Sequence, residues 1–221
     1  MRIHLKITRN KEIVPFSYQE NLVSALHRWL GKDNEYHNQL SLYSMSWLSY
    51  GKQKEGGLDF PKGTSWFISA FDDEMIKTIV RGIYKEPLIG FGMKVSELLV
   101  QVTPEFSSQQ KFTVASPVLV KDKVEGSKNA KFYFYDEQRA NELLTKTLQN
   151  KLRKAGLAEE GAQVMFDTHY HAPKVKKATY KGIENKGSVC PVLVQGSSEQ
   201  IAFAWNVGVG HSTGIGFGAL I

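Results

Sequence analysis

The sequence predicts an α+β protein that uses one small plan twice, and three observations carry that expectation. Strand-like alternation recurs along the chain, as with Ile3, Leu5 and Ile7 in RIHLKIT, where apolar residues alternate with basic or polar ones. Helical spacing appears between such strands, as with Leu22, Ala25, Leu26 and Trp29. The order strand, helix, strand, strand, helix, strand can be read once in each half, which is the split arrangement of a ferredoxin-like (RRM-like) domain.

The first half is the clearer. After RIHLKIT a helix runs from Tyr18 to Gly31, a residue suited to closing it. LSLYSMSWLSY alternates as a strand, GKQKEGG reads as a turn or mobile loop, and TSWFISAF is a third strand. DDEMIKTIVRGIYK places acids where a helix N-terminus favours them, and MKVSELLVQVTPEF completes the unit as a strand.

In the second half KFTVASPVLVKD reads as a strand, and DEQRANELLTKTLQNKLRKAG as a long amphipathic helix capped by Asp136 and stopped by Gly156. Strands are expected at AQVMFDTHYH, KVKKATYKGI and GSVCPVLVQG, then a short helix around SSEQIAFAWNVG and a last strand, TGIGFGALI. The expected domains are 1–108 and 109–221, meeting where SSQQ is polar and unpatterned.

Composition bounds the partners. The chain has 221 residues, 42% of them hydrophobic, enough to build real cores. No apolar run reaches the ~18 residues of a membrane span, and the N-terminus alternates where a signal peptide would be an apolar block. A cytoplasmic protein without a membrane partner is therefore expected. The single cysteine, Cys190, has apolar neighbours, excludes an internal disulfide, and reads as a small core residue. The formal charge of +6 is compatible with a polyanion. Lys174, Lys176, Lys177, Lys181 and Lys186 stand against one acid, Glu184, between Pro173 and Gly187. They form either a solvated strand face or an anion-binding one.

The segment GVGHSTGIGFG, Gly208 to Gly218, has no Lys and Ser or Thr pair in P-loop order. Either it is a tight hairpin, or Gly208, Gly210, Gly214, Gly216 and Gly218 expose backbone N–H groups to phosphate oxygens, with His211, Ser212 and Thr213 adding side-chain hydrogen bonds. Here the sequence resembles the C-terminal glycine-rich loop of the CRISPR-associated repeat-processing endoribonucleases, the sixth Cas family of the repeat-associated mysterious protein superfamily. Gly208, Gly210, Gly216 and Gly218 match the two Gly-x-Gly elements, and ASPVLVKD, Ala115 to Asp122, resembles the Ser-Pro-apolar strand that opens the second domain in that family.

The resemblance implies tandem ferredoxin-like domains and a metal-independent cut in precursor CRISPR RNA, with no cofactor. An RNA 2′-hydroxyl would attack the adjacent phosphate, one group removing its proton and another protonating the departing 5′-oxygen. It implies CRISPR repeat RNA as partner, and leaves open other Cas proteins of an effector complex or a homodimer. It points to His27 in SALHRWL and His37 in NEYHNQL as the acid–base pair, without fixing which is which. Helical geometry agrees for His27, which lies nearly opposite the apolar stripe, beside Glu20 and Ser24. The family's catalytic lysine has no evident match after His37. Either Lys52 or Lys54 of GKQKEGG supplies the positive charge, or Tyr43 supplies a neutral donor, or the stabilisation is weaker here; Lys52 is taken as the catalytic one and Lys54 as a contact to the RNA.

Two other readings compete. A noncatalytic RNA-binding member of the superfamily would keep the glycines and lysines. A metal-dependent hydrolase would use Asp167, His169 and His171, which on a strand share one face. Beside the lysine-rich strand the same region reads as an RNA surface, with Tyr170 and Tyr180 available for stacking. His4, inside the first strand, reads as structural.

Overall fold

Alternation in the first residues becomes strand β1 (Arg2–Ile7), whose Ile3, Leu5 and Ile7 are buried while Lys6 is exposed. The computed structural model describes every residue except 32, 33, 35, 37, 38, 124, 125 and 127–129. Helix α1 (Gln19–Leu30) follows and buries Leu22, Ala25, Leu26 and Trp29 as their spacing requires, with Gly31 at its C-terminus. Then come β2 (Tyr43–Met45), β3 (Lys52–Lys54), β4 (Gly57–Asp59), β5 (Thr64–Ala70), α2 (Asp73–Lys85), β6 (Leu88–Gly90) and β7 (Met93–Gln101). The sheet order is β2-β5-β1-β7-β6, with antiparallel neighbours. Asp72 caps α2 by accepting from the Glu74 N–H at 2.9 Å.

The second half contains β8 (Gln109–Phe112), β9 (Val120–Lys123), β10 (Ala130–Tyr133), α3 (Gln138–Lys154), β11 (Gln163–Phe166), β12 (Lys174–Tyr180), β13 (Ile183–Val189), β14 (Val192–Gln195) and α4 (Ser198–Val207). Its central sheet is β11-β14-β8, and the chain end pairs with the continuation of β8 through bonds between Thr113 and Ile221 in both directions. The strand, helix, strand, strand, helix, strand order thus recurs. The fold is the expected α+β arrangement of tandem ferredoxin-like units, each extended by β-hairpins.

Several local expectations are corrected. GKQKEGG is no loop but the β3–β4 hairpin, held by the paired N–H and C=O groups of Val14 and Leu58. KFTVASPVLVKD is broken into β8 and β9 around Ser116–Pro117, because proline has no N–H for a ladder and the Ser116 hydroxyl bonds Met45 O and Ala219 N instead. TGIGFGALI is a 3₁₀ turn, Thr213–Ile215, with ladder-like pairing only at its very end. Helix α3 starts at Gln138 after Glu137, with no side-chain cap and none from Asp136.

The halves meet over the open face of the first sheet. The Arg2 guanidinium lies between the rings of Phe67 and Trp205, 4.0 and 3.6 Å from their centroids, and donates to the carbonyls of Trp205 and Leu220. Ser44 donates to Asn206 O at 3.0 Å beside it. A small third cluster of Leu119, Ala178 and Phe217 seats the β12–β13 hairpin. Cys190 is buried, as its neighbours suggested. Among the described residues, no helix is long and apolar enough to cross a membrane.

One core position is cationic. Lys151 of α3 is fully enclosed, and burial pushes its ammonium from 10.5 down to about 7. The folded chain therefore binds fewer protons than the unfolded chain between pH 7 and 10.5, so stability rises with pH across that window and is lost as pH falls through 7. From pH 7 to pH 9 the gain is about 2 to 3 kcal/mol. Urea midpoints for wild type and Lys151→Met at the two pH values should show it as a steeper rise with pH in wild type than in the variant. Lys121 and Asp122 on β9 are the same in both proteins, and His211 on the adjoining loop, which the Lys151 charge helps to lower, is held by burial below the ordinary histidine value and so outside the window.

Candidate functional site

The tip of the β12–β13 hairpin reaches across the seam to α1, where the Lys181 N–H donates to Glu20 Oε1 at 2.6 Å. Between hairpin and helix lies a groove of about 290 Å³. Its walls are His27 of α1, Tyr43 of β2, Tyr180 and Lys181 of the hairpin, and Ser212 and Gly214 of the glycine-rich segment. It continues past Tyr36, Gln39 and Ser41 into a second lobe beside Leu42, Met75 and Asp72. Residues from both halves are needed to form it.

The groups lining the groove differ in chemistry. His27, in the last turn of α1, is half-buried and turned from the core, as its helical position implied. Burial pushes the Tyr43 phenol up to about 12, so it stays neutral and is suited to donate a hydrogen bond, not to serve as a base. Tyr180 is raised by partial burial and by the nearby Glu20 charge. Lys181 is exposed, with its ammonium 5.8 Å from the Tyr180 ring centroid and its backbone at φ 48°. That left-handed turn carries the lysine over the end of the groove.

Other sequence-predicted residues fall elsewhere. His37 lies outside the described residues. Lys52 lines a separate groove with Lys6, Tyr50 and Lys62, and Lys54 pairs with Asp59 at 2.6 Å. Their hairpin lies against Val14, before α1, whereas His27 is eight residues into that helix, a rise of about 12 Å. Lys52 and His27 line different grooves. Lys174, Lys176 and Lys177 are exposed on β12; Lys176 is 5.9 Å from the Trp47 ring centroid and Lys177 faces Glu184 at 3.4 Å.

The glycine-rich segment is mostly internal. Gly208, Gly210 and Gly218 have φ of 69°, 76° and 65°, and a Cβ on Gly208 or Gly210 would sit 2.6 Å from the Gly218 or Leu119 carbonyl oxygen. On Gly218 it would run into the Val209 carbonyl. These three positions are set by backbone packed on backbone. Gly214 faces Ser41 and Tyr43, and Gly216, with no neighbour closer than 3.6 Å to a Cβ, accepts a bond from Trp47 Nε1. Thr213 is corrected most sharply: it is 1% exposed, and its hydroxyl donates inward to Tyr43 O and accepts from Lys151. His211 pairs with Leu119 and faces β9; burial, then the Lys121 charge, lowers its pKa.

The shared strand face supposed for Asp167, His169 and His171 does not exist, because β11 ends at Phe166 and the three lie in a turn. Asp167 is buried against Lys111, while His169 points to solvent. Among the described residues, no group of three or more His, Cys, Asp or Glu is placed to hold a metal ion.

Sequence reasoning missed Lys151, although Leu144, Leu148 and Lys151 share one face at helical spacing and could have shown it.

Fold and groove together define a tandem ferredoxin-like protein with a groove at its seam lined by His27, Tyr43, Tyr180 and Lys181. Residues 101–220 match the family model described as CRISPR associated protein Cas6, C-terminal. The chain belongs to the Cas6 family of CRISPR-associated proteins. Among solved structures it is similar to a Cas6-related protein from Pyrococcus furiosus, at 22% identity and TM-score 0.88, covering 100% of this chain and 97% of that one. It is also similar to a RAMP protein binding different RNA substrates, at 21% identity and TM-score 0.86, covering 100% and 99%. A Cas6 product complex shares 12% identity at TM-score 0.68, covering 100% and 98%. No match is found among curated protein sequences.

Proposed function

We propose that this protein binds CRISPR repeat RNA and cleaves it in the groove between α1 and the β12–β13 hairpin, without a metal ion. The observation that carries the reading is the placement of His27, Tyr43 and Lys181 around one groove in a chain of this family. The 2′-oxygen forms a bond to phosphorus as the bond to the 5′-oxygen breaks; a base takes the 2′-proton and an acid protonates the leaving oxygen. His27 serves one of these roles and His37 the other. Lys181, in place of Lys52, supplies positive charge to the phosphorane-like transition state, and Tyr43 donates to it.

The exposed lysines of β12 and the groove-facing parts of the glycine-rich segment, Ser212 and Gly214, hold the RNA backbone. Domains 1–108 and 109–221 each contribute one wall. Support for this division is that one core draws its buried residues from Ile3 to Val95 and the other from Phe112 to Leu220.

The test is labelled repeat RNA incubated with the protein in excess EDTA. A single cut giving a 2′,3′-cyclic phosphate and a 5′-hydroxyl is expected. Loss of cutting in EDTA would overturn the metal-free reaction. Tight binding with no cut under any condition would favour the noncatalytic reading, which the RNA-binding RAMP relative keeps in view.

A further inference from the structure

Lys151 lies in the core, at 2% exposure beside the buried Leu148 and Leu152. Its Nζ meets three oxygens, one for each N–H when it is protonated, and with two donors to share among them when it is neutral. They are Val207 O at 3.0 Å, Thr213 Oγ1 at 2.9 Å and Gly208 O at 3.4 Å. Val207 and Gly208 end α4, where carbonyls have no partner within the helix. Thr213 sends its own proton to Tyr43 O at 2.8 Å, so its lone pairs are left for the lysine.

One chain of bonds thus runs from α3 through the glycine-rich segment to β2, and both residues beside its end, Tyr43 and Gly214, line the groove. The segment between Gly208 and Gly218 has little regular ladder of its own. Its described backbone ties are scattered single bonds, such as His211 N to Leu119 O and Val209 N to Gly218 O. Lys151 bonds both the segment's entry, at Val207 and Gly208, and its turn, at Thr213.

We propose that Lys151 is a positioning residue: by bonding Val207, Gly208 and Thr213 together it holds the glycine-rich segment against Tyr43 and so sets the inner wall of the groove. This rests on the reading of the groove as the RNA-processing site. Lys151 itself does not reach the substrate, because the segment it holds covers it.

Three substitutions test this. Lys151→Met keeps the length and removes the donors, Thr213→Val keeps the volume and removes the hydroxyl, and Thr213→Ser keeps the hydroxyl. Measured on each would be single-turnover cleavage at saturating repeat RNA, half-saturation, and amide hydrogen exchange of residues 209–218 against α3 and β11. Lys151→Met and Thr213→Val are expected to slow cleavage at least about tenfold, with half-saturation within about threefold, because the reacting groups are misplaced more than the RNA is released. Exchange in 209–218 should quicken while α3 and β11 stay protected. Thr213→Ser should behave as wild type.

Unchanged cleavage and unchanged exchange in folded variants would overturn the proposal, as would a loss of protection spread evenly through α3 and β11. Should Lys151→Met not fold, the Thr213 pair decides by itself. If wild type cuts no RNA, the processing reading fails; exchange in 209–218 and affinity for the repeat RNA then decide whether Lys151 orders the wall.

Discussion

His27→Ala is expected to slow cleavage of repeat RNA by about 10²- to 10⁴-fold, the range that one general acid or base supplies. In free energy that is about 3 to 5 kcal/mol of transition-state stabilisation. Affinity for the repeat should move by no more than about threefold, because nucleic-acid binding in general draws much of its energy from phosphate contacts spread over many cationic side chains. The helix should persist, since alanine is a good helix former and the side chain faces the groove and not the core. The check is a single-turnover time course beside a binding isotherm and a melting curve for the same two proteins. A proportional loss of affinity and rate would make His27 a binding residue. An unchanged rate would remove it from the mechanism.

Gly218→Ala is the substitution with the largest expected effect on stability. The new Cβ would occupy the position of the Val209 carbonyl, which already accepts no slack because the Val209 N–H bonds Gly218 O at 2.9 Å. The φ of 65° adds a backbone penalty that alanine carries and glycine does not. Together these should cost about 3 to 5 kcal/mol, enough to unfold a large fraction of an ordinary domain at 37 °C. Gly216→Ala is the control. Its φ of 89° is equally left-handed, yet nothing lies within 3.5 Å of its Cβ, so strain of only about 1 kcal/mol is expected. Urea midpoints for the two variants separate packing from conformation: similar small losses at both positions would mean that the segment relaxes around Gly218.

Where the first-half elements lie could be read locally. Ile3, Leu5 and Ile7 turn inward because a strand alternates sides, and α1 runs to Gly31 because its apolar residues repeat every three to four positions. The same logic found α3 and placed His27 away from the core. It failed where a residue's partner is remote. GKQKEGG is polar and glycine-rich, which reads as a loop, but Val14 gives its strands something to pair with.

The glycine-rich segment shows the limit well. Composition said that something must approach its backbone closely, and only the fold showed that at Gly208, Gly210 and Gly218 this is the protein's own main chain.

By itself, then, the sequence determined the α+β plan, the family resemblance and the residue types available for acid–base chemistry, because periodicity and motif are properties of neighbouring residues. The tertiary structure decided which of those residues meet. Lys181 reaches Glu20 across 161 positions to complete the groove, while Lys52, much nearer to His27 along the chain, is carried to another surface. Lys151 is one of several lysines in α3, and it is the one enclosed because the carbonyl end of α4 and the Thr213 turn land above it. A local pattern cannot encode that encounter; the packing of one half on the other does.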